Sequence, residues 1–183
     1  ASGAIAQVPL YTLEPYESVS EVFTRGAVNY GLPYATENAG LICNADQVSS
    51  APKNWEDLIS KGVKLPINPG GDPYLMQSIQ SSFGVELFEK SEAGEYSSKL
   101  SLAGESGFKF ASWLRGNSMD FPQLDYTAAT ELFVTGQTPC WYTGMWSVPA
   151  IKERASFDLV AYPLPSAGGQ PAARCLGPAA PAP

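Results

Sequence analysis

The stretch 131–151, ELFVTGQTPCWYTGMWSVPAI, ends a helix, turns, runs as a short buried strand and turns again into a new helix start. Its second turn, Gly144 and Met145, carries Trp146 out at the end of a strand, where open α/β sheets place their ligands. A tryptophan held on such a turn is either a lid on the core or a flat platform for a ligand. Two loop carboxylates, Glu37 and Asp72, offer a second kind of chemistry, since a carboxylate pair at a set separation is what glycoside hydrolysis requires. Neither shows the surroundings that would bury it and raise its pKa. The chain contains no histidine. That removes Ser-His-Asp and Cys-His nucleophile systems and the usual zinc and non-haem iron ligand sets, and nothing in the sequence asks for a cofactor.

The elements that hold these residues are legible from spacing. Thr130 to Phe133 form the last turn of a helix, which Gly136 ends in the left-handed conformation. Pro139 to Thr143 has strand composition. Ser147 is placed to cap a helix with Pro149 in its first turn. Trp141 and Tyr142 point to opposite faces of their strand and are expected in the core. Upstream, Pro15 opens a helical pattern with Val19, Val22, Phe23 and Ala27 on one stripe. Ala39 to Asn44 (AGLICN) suits a strand buried on both faces. Asn54 caps a helix that buries Trp55, Leu58 and Ile59 and stops at Gly62. Val63 to Ile67 reads as a short strand near an edge because of Pro66. The loop NPGGDPY leads into a helix from Tyr74 to Phe83. Asp72 followed by Pro is by itself an N-cap signal, and Tyr74 is equally a partly buried helix residue. Residues 85–103 are a polar surface excursion. Phe108, Phe110, Ala111 and Leu114 mark another helix, with Trp113 as a packing residue. A helix from Tyr126 to Thr135 follows, and Phe157 to Tyr162 is a last strand. Alternating strands and helices predict an α/β sandwich with helices on both faces of the sheet.

The chain has 183 residues, with 11 Lys and Arg against 18 Asp and Glu, for a net charge of −7. That acidity argues against nucleic acid and anionic membrane surfaces as partners. Cys43, Cys140 and Cys175 are far apart and odd in number. They predict buried free thiols, with a Cys43–Cys140 bridge between two strands as the alternative. No run is apolar enough to span a membrane. The first residues lack the basic start and long apolar stretch of a signal peptide, and no Met opens the chain, so it reads as a segment of something longer. From Pro163 onward Pro, Ala and Gly dominate, the composition of a linker or extended tail.

Four stretches together resemble the extracellular solute-binding proteins of carbohydrate ABC transporters, the maltose-binding type. YGLPYATENAGLICNADQV is similar to that family's passage between lobes. APKNWEDLISKG is similar to its P-x-T-W-E-E helix start, with Asn54 where Thr is commoner. FVTGQTPCWYTGMWSVPAI resembles its F-x-x-G-x-x-A-M-x-x-x-G-x-W pattern. FDLVAYPLPSAGGQPA resembles the strand and loop that lead back to the first lobe.

The resemblance covers roughly Ala27 to Gly177 and implies a periplasmic-binding-protein-like (type II) lobe with an open mixed sheet flanked by helices. Residues 1–34 would then be the tail of an N-terminal lobe and the hinge, 35–163 the C-terminal lobe, and 164–183 a crossing segment and Pro/Ala-rich tail. It implies no enzymatic chemistry but an oligosaccharide such as a maltodextrin bound in an interlobe cleft by hinge closure. The implied location is extracytoplasmic, in the periplasm or lipid-anchored at the cell surface. The implied partners are a membrane permease and the remaining N-terminal lobe. Sugars need flat aromatic faces for their C–H sides and carboxylates or amides for their hydroxyls. The family pattern assigns Trp146 to stacking. At the family's E-P-Y position it assigns Asp72, one carbon shorter than Glu, to hydroxyls and Tyr74 to a second stack. Glu37 and Tyr34 would line the cleft from the hinge passage. A lobe of the same fold serving a peptide, a polyamine or a chelated ion is the other reading.

Overall fold

The computed structural model describes residues 24–25, 28–31, 35–91, 96–172 and 176–179. In chain order the strands are β1 (Thr24–Arg25), β2 (Val28–Asn29), β3 (Ala35–Asn44), β4 (Phe88–Lys90), β5 (Tyr96–Leu100), β6 (Cys140–Gly144), β7 (Leu159–Tyr162) and β8 (Leu176–Ala179). The helices are α1 (Trp55–Ser60), α2 (Pro73–Ser81), α3 (Glu105–Gly116), α4 (Tyr126–Val134) and α5 (Val148–Lys152). The chain divides into two compact units, Ala1–Asn38 with Leu176–Pro183, and Ala39–Cys175.

In the first unit β1 and β2 pair antiparallel, Thr24 opposite Asn29 and Arg25 opposite Val28. The expected helix is therefore not formed at Thr24 and Arg25, which are extended, and Gly26 and Ala27 lie outside the described residues. The start of that pattern, 15–23, lies outside the described residues. The opening residues of β3 pair antiparallel with β8, Glu37 opposite Gly177. The Pro/Ala-rich end thus holds a strand where composition suggested only a tail. Pro178 has no N–H to give to a ladder, which restricts it to positions where none is needed.

In the second unit β3 is the middle strand of the order β6–β3–β7, antiparallel to both neighbours. Pairing between the named strands is antiparallel, and a parallel component enters at the Ile67–Gln123 bridge. Leu41, Cys43, Cys140 and Tyr142 face one core, which α1, α2 and α3 close with Trp55, Leu58, Met76, Ile79 and Phe110. Ile42 and Trp141 face a second core, closed by Ala129 and Phe133 of α4 and Ile151 of α5. A sheet covered on both faces explains why AGLICN is apolar without alternation.

Local signals set the helix ends. Asn54 Oδ1 accepts the Asp57 N–H at 2.8 Å at the start of α1. The Lys53 N–H in turn donates to the Asp57 carboxylate, and this bond holds that carboxyl below its usual range, with Lys61 assisting. Asp125 Oδ1 accepts the Ala128 N–H at 2.8 Å and starts α4. Gly136, with φ at +73°, stops it, a conformation that costs other residues strain.

Three expectations change. Val63–Ile67 is not a ladder strand. Its Leu65 and Ile67 N–H groups bond to the Asp120 and Pro122 carbonyls and the Leu124 N–H returns to the Ile67 carbonyl, but Pro122 has no N–H to give to Leu65, so the pairing stays an isolated Ile67–Gln123 bridge. Residues 86–89, 97–100 and 102–103 are exposed, as expected, and β4 pairs antiparallel with β5 among them, while Val85 is buried in the core. In α3 the buried face is Gly107 and Phe110, with Trp113 half-buried against Trp55 and Phe121, whereas Phe108 is 70% exposed. Finally, Cys43 and Cys140 are joined by a disulfide rather than being free thiols. They lie opposite each other on β3 and β6, and Asn44 N–H donates to Pro139 O just beyond them. That is the non-hydrogen-bonded kind of antiparallel pair, in which Cα atoms approach most closely; here they are 4.0 Å apart. Cys175 lies outside the described residues.

Candidate solute-binding site

Three segments meet at the end of β6. They are the turn 145–147 that follows the strand, the first turn of α2 with the loop before it, and the first turn of α4. They enclose a cavity of about 270 Å³ lined by Asn68, Asp72, Tyr74, Tyr126, Trp141 and Trp146 among others. Trp146 is 45% exposed and Tyr74 is 37% exposed, so neither ring is a plug in the core. Their centroids lie 6.0 Å apart with the planes at 52°. That is within the range of direct aromatic contact, so the rings form a corner, not a slot between parallel faces. A ligand that used both would lie across the corner.

Trp146 owes its pose to Gly144. The indole lies so close over this glycine that a methyl group there would overlap its six-membered ring. The next residue differs from expectation. Ser147 makes no side-chain cap to α5. Its fully buried hydroxyl accepts a hydrogen bond from the Tyr126 OH at 2.8 Å and is 2.8 Å from the Thr143 hydroxyl. The α5 start relies on Pro149 instead.

Asp72 caps α2, its Oδ1 accepting the Leu75 N–H at 3.2 Å, while it also lines the cavity. The N-cap reading of this residue is the one the geometry shows. Asp72→Ala is expected to lower unfolding free energy by about 1 kcal/mol, while Asp72→Asn stays within about 0.5, because Asn caps nearly as well. Urea denaturation of the two variants checks this and isolates the cap from any role of the charge.

The structure thus brings Trp146, Tyr74 and Asp72 together. Glu37 lies in β3 with its side chain outside the described residues, and Tyr34 lies outside them entirely. Two lining residues were not expected. Trp141 is buried as predicted, yet it forms part of the cavity wall and packs on Tyr126, centroids 5.2 Å apart. Tyr126 itself reads in sequence as an ordinary helix start. A topological signal was present: α4 runs into β6 through the tight turn at Gly136, so the two are antiparallel. The first residue of the helix therefore sits beside the last residues of the strand, where Trp146 emerges.

An α/β lobe of the type II periplasmic-binding kind, with an open aromatic corner at the end of a sheet strand, is a solute-binding architecture. The chain belongs to the bacterial extracellular solute-binding protein family, whose model matches residues 1–180. Among curated proteins it is similar to the maltotriose-binding protein of Pyrococcus abyssi (strain GE5 / Orsay), 28% identical over 149 residues, 74% of this chain and 31% of that protein. Among solved structures it resembles the Thermus thermophilus maltotriose binding protein bound with maltotriose. That match has a TM-score of 0.74 and 26% identity, and covers 91% of this chain and 49% of that one. A cyclo/maltodextrin-binding protein complexed with maltotetraose shares the fold, with a TM-score of 0.75 at 18% identity over 92% of this chain and 47% of that one. The chain therefore spans between about a third and about half of the length of these relatives.

Proposed function

We propose that this chain is the C-terminal lobe of a carbohydrate receptor that hands an oligosaccharide to the membrane permease of an ABC transporter and performs no chemistry itself. Residues 35–163 form that lobe, 1–34 the end of an N-terminal lobe and hinge, and 164–183 the crossing segment. Trp146 and Tyr74 stack on sugar C–H faces. Asp72 accepts hydroxyl hydrogen bonds, Glu37 and Tyr34 contribute from the hinge passage, and the remaining N-terminal lobe supplies the facing wall.

The observation that carries this reading is the aromatic corner of Trp146 and Tyr74 over a cavity that also holds Asp72 and Asn68. Apolar faces beside a few hydrogen-bonding groups match the two-sided chemistry of a pyranose. The maltotriose-binding relatives support the same class of ligand. A glycosidase needs two carboxylates over one site, and among the described residues lining the cavity Asp72 is the single acid.

Calorimetric titration of the intact protein with maltotriose, with tryptophan fluorescence followed in parallel, tests the proposal. Saturable heat and a fluorescence change are expected, and Trp146→Phe removes most of the latter. Absence of both with every maltodextrin tried, or binding of a peptide or polyamine instead, sinks the sugar reading. Release of aryl alcohol from an aryl glycoside sinks the non-enzymatic one.

A further inference from the structure

We propose that Ser147 is a positioning residue for the ligand platform: its buried hydroxyl, shared by Tyr126 and Thr143, fastens the turn that carries Trp146 to the first turn of α4. This rests on the sugar-binding reading for its consequence, but the fastening itself does not. The bonds cross between three elements. Tyr126 opens α4, Thr143 ends β6, and Ser147 closes the turn after it. Ser147 and Thr143 are buried, and both distances are 2.8 Å.

The chemistry of the three groups fits a lock. The Tyr126 OH donates to Ser147 Oγ, so that oxygen keeps a lone pair and its own proton for Thr143. A hydroxyl of this kind, shut away from water, is costly to leave unpaired, so moving any one of the three oxygens out of reach carries a penalty, whichever of Ser147 and Thr143 donates to the other. Trp146, one residue before Ser147, lies over Gly144, one residue after Thr143. Its main chain is thus clamped on both sides while its ring stays open to solvent. Tyr126, the third member, also presents its ring to the cavity. One buried oxygen therefore sets the separation between the Trp146 turn and the Tyr126 ring. A platform held in its bound geometry avoids the ordering cost of binding.

The test uses 5-fluorotryptophan incorporated at the four tryptophans, with the Trp146 resonance assigned through Trp146→Phe. In Ser147→Ala, Tyr126→Phe and Thr143→Val the Trp146 ¹⁹F line should shift or broaden while the lines of Trp55 and Trp113 stay in place. Thr143→Ser, which keeps the hydroxyl, should give the native spectrum. Tyr126→Phe placed on Ser147→Ala should add no further change, because both remove the same bond. Maltotriose affinity of the intact protein should fall about tenfold in Ser147→Ala. An unmoved Trp146 line in Tyr126→Phe and Thr143→Val overturns the proposal even if Ser147→Ala fails to fold. A moved line in a protein that ignores maltotriose upholds the fastening and removes the sugar reading alone. A moved line with native maltotriose affinity overturns the role in binding.

Discussion

Replacing Cys43 and Cys140 together by alanine is expected to lower the unfolding free energy by about 3–5 kcal/mol. The bridge joins residues separated by 97 positions. Closing a loop of that size removes chain entropy from the unfolded state worth about 4.7 kcal/mol in the simple loop model, with native-state terms adding or subtracting. Both sulfurs are fully buried in the larger core against which α1, α2 and α3 close, so their loss also leaves unfilled volume, while bridges commonly deliver less than the full loop value, which together set the range at about 3–5 kcal/mol. A loss of that size is a large fraction of what holds a domain of this length together. Urea unfolding of the oxidised wild type and the double variant measures it. Thiol titration gives an independent check. The unfolded, unreduced protein should show one reactive thiol and the reduced protein three, since three cysteines less the bridged two leave Cys175. Three thiols before reduction would remove the bridge. A bridged pair also suits an oxidising compartment, in keeping with an extracellular family.

The disulfide shows where sequence reading ran short. Strand identity was legible on both sides of it: AGLICN and PCWYT became β3 and β6. Register was not. A shift of one residue in the β3–β6 pairing would place the two sulfurs on opposite faces, and nothing local to either strand sets that shift. The same limit explains α3. Its sequence offers two apolar stripes, one through Phe110 and Leu114 and one through Phe108 and Ala111. The choice is made by distant partners, Trp55 and Phe121 against Trp113 and Phe83 against Phe110. By contrast, caps and stops are local chemistry. Asn54, Asp72, Asp125 and Gly136 act as their residue types dictate. The candidate site divides in the same way. Trp146 and Tyr74 stand out because a turn and a capped helix start project them, while Tyr126 and Trp141 join only through the tertiary approach of α4 to the end of β6.

Gly144→Ala is expected to weaken sugar binding nearly as much as Trp146→Ala, by about 2–4 kcal/mol in each case, or roughly thirty- to a thousandfold. The reasoning for Trp146→Ala is direct. It deletes the larger face of the aromatic corner and leaves Tyr74 alone beside Asp72. The case for Gly144→Ala is steric. The backbone at Gly144 is extended, with φ at −82°, so alanine meets no conformational penalty there. Its methyl, however, would occupy the space of the Trp146 ring. The obstacle is a rigid two-ring system on a turn fixed at Ser147, so the indole must swing off the glycine and out of the corner. A flexible side chain would simply bend away. Stability should therefore change little, because the ring is already half exposed and loses few buried contacts, while affinity collapses. Iodide quenching of Trp146 fluorescence should rise in Gly144→Ala, reporting a ring released into solvent. Calorimetry with maltotriose gives the affinity. Native quenching together with native affinity would show that the indole does not rest on this glycine in solution. Raised quenching with native affinity would show that the ring is not the platform at all.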